Sequence, residues 1–463
     1  MLRPPPSALR SPSAAPRREL TLLDSTSIIV GIIIGAGIYR SSPDVAALVP
    51  NAAWLIGLWV LGGLLSLLGA LCYAELATAY PHEGGDYVYL TRAFGRAVGF
   101  LFAWSQLWIV RPGSIGAVAY AFAEYANQIW PRAEGDAATG VMVLYAAGSI
   151  VVLSGVNILG VREGKWTQNV LTAAKVLGLS AIVLVGFLHA APAAQVPAVA
   201  AAGPAHFPLA DFGLAMIFVL FSYGGWNEMA YVGAEVRHPR RNILRALLLG
   251  TLAVTLIYVL VNAAFLHALG LQGTRHATVA ADVLRLAIGP WAGRAISLLI
   301  CISALGAING QIFTGARIYY AMGADHRLYS WLGQWSARWG TPVRSLLIQA
   351  VITLALVIWF GLSRNGFESM VKFTTPAFWL FFSLVGVSVL VLREREPATP
   401  RPYRVLGYPL TPLLFCLSCD FMIYSSVAFA IEKCTWEAIW SIAILLVGVG
   451  LSFYNPPRPK ARA

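Results

Sequence analysis

The positions best able to do chemistry in this chain are glycines inside apolar sequence. Gly31, Gly35 and Gly37 interrupt one long apolar run near its middle, and Gly224 and Gly225 interrupt another. In a helix surrounded by lipid, such a break frees backbone groups. Half-helix N-termini then suit an anion, and freed carbonyls suit a cation. The competing reading is that these glycines only let helices pack closely. Two ionisable side chains also stand inside apolar runs. Lys175 lies in Thr172-Ala173-Ala174-Lys175-Val176-Leu177, and Glu228 follows Gly224-Gly225-Trp226-Asn227. An ammonium near the bilayer centre costs about 2.5–3.5 kcal/mol on insertion scales, so Lys175 is expected to face the bundle interior and a partner. Glu228 has three readings: pairing with a cationic substrate, titrating with protons, or bonding to a helix neighbour. No His-Glu-x-x-His, Gly-x-Ser-x-Gly or phosphate-binding loop occurs in the sequence, which argues against an enzyme and against a nucleotide-driven pump. Cys72, Cys301, Cys416, Cys419 and Cys434 form no metal spacing and no evident disulfide framework, so neither a metal nor a cofactor is expected.

These positions need helices to hold them, and composition says in what medium. The 463 residues are 58% hydrophobic and 12% charged, against about 25% charged for a soluble domain. Apolar runs such as Ala52 to Tyr73, Val141 to Leu153 and Val176 to Leu188 recur about twelve times, each near the roughly 20 residues a crossing helix requires. The expected class is an all-α membrane protein of twelve transmembrane helices. The glycine breaks fall in runs one and six, five apart, which predicts a five-plus-five inverted repeat with broken helices 1 and 6. The expected units are a tail at 1–21, a first repeat at 22–190, a second at 205–392, two further helices at 405–455 and a tail at 456–463.

A net charge of +12 could suggest nucleic acid, but its distribution does not. Arginines gather in alternate loops: Arg3, Arg10, Arg17 and Arg18, then Arg92 and Arg96, Arg162, then Arg237, Arg240, Arg241 and Arg245, and so on to Arg458 and Arg462. That alternation is the positive-inside pattern, and it places both termini in the cytoplasm of a cell (inner) membrane protein. No nucleic-acid partner is expected. No cleavable signal precedes the first apolar stretch, which begins near Ile28.

The sequence resembles the amino acid, polyamine and organocation transporter superfamily, nearest its L-type amino acid transporter branch. The likeness runs almost the whole length and is densest in Val30-Gly31-Ile32-Ile33-Ile34-Gly35-Ala36-Gly37-Ile38-Tyr39, in Gly84-Gly85-Asp86-Tyr87-Val88-Tyr89, in Phe221-Ser222-Tyr223-Gly224-Gly225-Trp226-Asn227, and in Ser303-Ala304-Leu305-Gly306-Ala307-Ile308-Asn309-Gly310. The resemblance implies a LeuT-like fold and a sodium-independent secondary transporter of amino acids, neutral ones first, working by exchange or proton coupling. Cationic amino acids, polyamines or a sensing role stay open beside it. It further implies that backbone amides of Gly35, Ala36 and Gly37 take the substrate carboxylate, and that carbonyls of Ile33, Phe221 and Gly224 take its amine. The Phe221 ring would be the gate. The side-chain pocket would draw on Ile109, Val110, Ser114, Asn227, Glu228, Phe378 and Trp379. Lys175, with Ser303 as neighbour, would stand where a sodium ion sits in coupled relatives. Two departures matter. The family usually has Ser where Ala36 stands, and an uncharged residue where Glu228 stands. The Arg111-Pro112 pair matches the family and implies a structural partner for the arginine. Relatives with a disulfide-linked heavy chain carry a cysteine after the third run; Ala126 to Gly140 contains none, so no such partner is expected.

Overall fold

The computed structural model describes residues 18–82, 84–130, 136–189, 207–276, 278–361, 366–432 and 436–454. Most of the 1–21 tail with Arg3, Arg10 and Arg17, the segment 190–206, Cys434 and the tail with Arg458 and Arg462 lie outside the described residues. Helix dominates because lipid offers backbone groups no hydrogen-bond partner, so each segment satisfies its own.

The first apolar run is two helices, α1 (Leu22–Ile33) and α2 (Gly37–Leu48), bent by 47°. Thr21 starts α1 with a capping box: Asp24 N–H donates to the Thr21 hydroxyl, and Thr21 N–H donates to the Asp24 carboxylate at 2.9 Å. Next come α3 (Ala52–Ala79) and the short α4 (Asp86–Phe94). The third run is α5 (Arg96–Ser105), a π-helical turn at Gln106–Val110, and α6 (Arg111–Ile129). α7 (Asp136–Leu159) and α8 (Val161–Leu188) follow. The sixth run breaks after α9 (Leu209–Ser222). Gly225 adopts φ 116°, a left-handed conformation that disfavours any side chain, and Trp226–Glu235 then winds as a 3-10 helix. The remainder are α10 (Pro239–Thr274), α11 (Val279–Ile288), α12 (Ala292–Asp325), α13 (Val343–Gly361), α14 (Gly366–Arg395), α15 (Leu410–Glu432) and α16 (Trp436–Tyr454).

Among the described residues, eight helices are long and apolar enough to cross a membrane, or nine with the bent pair α1 and α2 as one span. α9 has only 14 residues before its break, and the apolar part of α16 is Ile439–Phe453. The interior has two apolar clusters. One gathers α1, α3, α9 and α10 around Trp59, Tyr73 and Tyr258; the other gathers α6, α7, α12 and α13 around Ile109, Tyr120 and Ile312. Phe378 on α14 packs against both.

Candidate functional site

The two breaks press against each other, and glycine is what permits it. A Cβ on Gly37 would lie 3.3 Å from the Ser222 hydroxyl, and one on Gly225 would lie 2.7 Å from Ile32 Cγ2. At the first break Ile34 N–H still bonds back to Val30, and Gly35 N–H turns tightly onto the Ile33 carbonyl at 2.7 Å. α2 then begins from Ala36, whose side chain gives no cap. A helix start leaves its first amides without intrahelical acceptors, and those of Ala36, Gly37 and Ile38 make no backbone bond. The amides at this break are therefore not equivalent. Gly35 has spent its N–H inside the turn, while Ala36 and Gly37 have not.

The acceptors differ in the same way. Tyr258 on α10, fully buried, shares its hydroxyl proton between the Ile33 carbonyl at 3.0 Å and the Ser222 carbonyl at 3.1 Å. With Gly35 N–H on its other side, the Ile33 oxygen accepts two hydrogen bonds in this structure. Phe221 accepts from Gly224 N–H at 3.1 Å and from Tyr223 N–H, and the Gly224 carbonyl is unspent among the described backbone bonds. The Gly224 carbonyl is therefore the acceptor left open at this break. Phe221 is 48% exposed.

Lys175 is wholly buried and donates to the carbonyls of Gly31 and Ile34, the latter at 2.7 Å. It thereby ties α8 to the end of α1 and supplies donors to carbonyls that the break has freed. A Cβ on Gly306 would fall 2.8 Å from Nζ, so the α12 backbone closes over the ammonium. Ser303 does not join it: its buried hydroxyl lies beside Tyr39 instead.

Beyond the breaks, the residues assigned to the side-chain pocket divide. Ile109 and Val110 are buried in the π-helical turn, with Ser114 half-buried one turn further on. Phe378 meets Trp379 edge-on at 5.2 Å and Phe382 at 4.4 Å, and Phe382 in turn packs on Trp226. Asn227 instead turns along its own segment, donating to Tyr231 at 3.0 Å. Glu228 forms a buried ion pair with Arg111 at 2.7 Å and accepts from the Thr314 hydroxyl at 2.5 Å. Arg111 also donates to Gln106 Oε1 at 3.2 Å and lies over the Tyr231 ring. Of the three readings of Glu228, bonding to neighbouring helices is the one the geometry displays. Sequence reasoning named Arg111 without its partner and missed Tyr258 and Tyr231, since a tyrosine in an apolar run carries no local signal. Among the described residues no group of His, Cys, Asp or Glu could hold a metal ion.

Apolar helices of spanning length and two abutting broken runs define an integral membrane protein with an interrupted helix pair at its centre. The profile of the amino acid permease family matches residues 20–449, and the chain belongs to that family, within the amino acid, polyamine and organocation superfamily; it is a transporter and not an enzyme. It is 30% identical to the b(0,+)-type amino acid transporter 1 of Homo sapiens, over 95% of this chain and 87% of that one. It is 28% identical to the large neutral amino acids transporter small subunit 2 of Homo sapiens, over 96% and 82%. Against the Asc-type amino acid transporter 1 of Mus musculus it is 30% identical, again over 96% and 82%.

Proposed function

We propose that this chain is a twelve-span secondary transporter of neutral amino acids, built as a five-plus-five inverted repeat and working by alternating access without sodium. The observation that carries the reading is the charge balance of the site. Unspent amides at Ala36 and Gly37 match a carboxylate, and the carbonyl of Gly224 matches an ammonium. On the side-chain side, Arg111 and Glu228 are both buried and neutralise each other. A substrate that is zwitterionic at its backbone and uncharged at its side chain fits that balance. The three relatives support the amino acid part of this reading, since each is an amino acid transporter. Lys175 supports sodium independence, because its ammonium occupies the carbonyls that a cation would need. The alternating arginines support a cytoplasmic position for both termini. No disulfide-linked heavy chain is expected, since 126–140 contains no cysteine.

Uptake of labelled leucine, alanine, serine, arginine and putrescine into proteoliposomes tests this, with and without internal amino acid, a proton gradient and sodium. Neutral amino acids are expected to enter and sodium to change nothing. Dependence on internal amino acid marks an exchanger; stimulation by the proton gradient marks a symporter. Preferential uptake of arginine or putrescine would overturn the substrate class, and binding without any uptake would make the chain a sensor.

A further inference from the structure

Beneath the inner half of the sixth run sits a carboxyl group that substrate binding does not use. Gly84 and Gly85, at φ 91° and 42°, turn the chain into α4. That turn lies directly on the 3-10 segment: Gly84 N–H donates to the Tyr231 carbonyl at 3.2 Å, and a Cβ on Gly85 would lie 2.8 Å from the Ala230 carbonyl carbon. Asp86, first residue of α4, is 1% exposed. Its Oδ2 accepts from Tyr73 on α3 at 2.8 Å and from Tyr231 at 2.7 Å, while its Oδ1 is buried with no partner.

The charged groups around it leave it uncompensated. Arg111 on α6 is bound to Glu228, and Glu228 is itself a second negative charge. Tyr89 on α4 lies near Asp86 with its hydroxyl unbonded. From α12, Asp325 is engaged with Tyr87; beyond α14, Glu396 pairs with Arg92, and Arg395 of α14 donates to the Ala93 carbonyl. An ionised carboxylate with one bare oxygen and no cation is costly to bury, and a neutral acid much less so. α4 lies outside the apolar spans, and there burial pushes the Asp86 carboxyl up to about 7, against the bonds from Tyr231 and Tyr73.

We infer that Asp86 is a proton-operated latch on the arginine-rich side of the transporter. It takes up one proton when the turn before α4 docks on Trp226–Glu235, and it returns that proton to the same compartment when the segment moves away. No proton crosses the membrane in this step. Acid on that side therefore holds the inner mouth shut, and alkali releases it. The sign follows from the raised value: docking is favoured at low pH and lost as pH rises through about 7. Between about pH 8 and about pH 5.5 the docking equilibrium shifts about 30-fold toward the closed form.

The test is hydrogen–deuterium exchange of the purified full chain in lipid nanodiscs at those two pH values, with exchange times scaled to equal chemical exchange. Wild type, Asp86→Asn and Tyr73→Phe are compared. In wild type, peptides covering 226–235 are expected to be at least tenfold better protected at the acid pH. Asp86→Asn is expected to be protected equally at both, and Tyr73→Phe to keep the pH dependence at lower overall protection. Equal wild-type protection at both pH values overturns the latch. So does an Asp86→Asn variant that keeps the wild-type dependence, because a different group then titrates. The readout needs no substrate, so its failure is separable from failure of the transport reading.

Discussion

Removing one member of the Arg111–Glu228 pair tests how the site holds its neutrality. The two side chains lie 2.7 Å apart at 4% and 8% exposure, and the Thr314 hydroxyl bonds the same carboxylate oxygen at 2.5 Å. Glu228→Gln keeps the shape and a hydrogen-bonding oxygen for Thr314, but it leaves the guanidinium buried without a counter-charge. Breaking a buried pair in this way costs about 3–5 kcal/mol. Replacing both partners, as in Arg111→Met with Glu228→Gln, removes the uncompensated charge along with the pair. The double variant is therefore expected to recover about 2 kcal/mol or more relative to Glu228→Gln. Stability is read from denaturant titration in mixed micelles, with the four proteins forming a double-mutant cycle. A Glu228→Gln variant within about 1 kcal/mol of wild type would refute the reasoning. A double variant as unstable as the sum of the two singles would refute it equally, because the pair would then carry no coupling.

Lys175→Ala frees the Gly31 and Ile34 carbonyls inside the bundle and removes the tie between α8 and α1; uptake is expected to fall more than tenfold, and wild-type rates would show that the tie is dispensable. Tyr258→Phe removes the hydroxyl shared by Ile33 and Ser222; it is expected to cost about 1 kcal/mol of stability and to weaken substrate binding measured by scintillation proximity. Gly225→Ala forces a side chain into φ 116° and toward Ile32; a cost of about 1–2 kcal/mol or more is expected, with loss of uptake at normal surface expression. Arg317→Met strands Glu235, now held at 2.7 Å and buried with it; it is expected to destabilise by about 3–5 kcal/mol, checked by thermal aggregation of the detergent-purified protein.

Sequence alone determined the medium, the helical class and where to look. Apolar runs of spanning length, the arginine alternation and the two glycine interruptions are local signals, readable without knowing what lies across the bundle. Lys175 announced a need for partners because an ammonium in lipid cannot go without them. The 3-10 winding of Trp226–Glu235 and the π-helical turn at Gln106–Val110 were not legible, since hydropathy does not distinguish them from an α-helix. Tertiary structure alone decided which backbone groups are spent. Lys175 reaches Gly31 across 144 positions and Tyr258 reaches Ile33 across 225. That second bond, with the tight turn at Gly35, engages the Ile33 carbonyl and the Gly35 amide, while no backbone bond engages the amides of Ala36 and Gly37. Glu228 shows the same limit: three readings fit its place in the sequence, and its bond to Arg111 on another helix was not legible there. A hydrogen bond depends on where two atoms meet, and for residues so far apart in the chain only the packing of the helices fixes that.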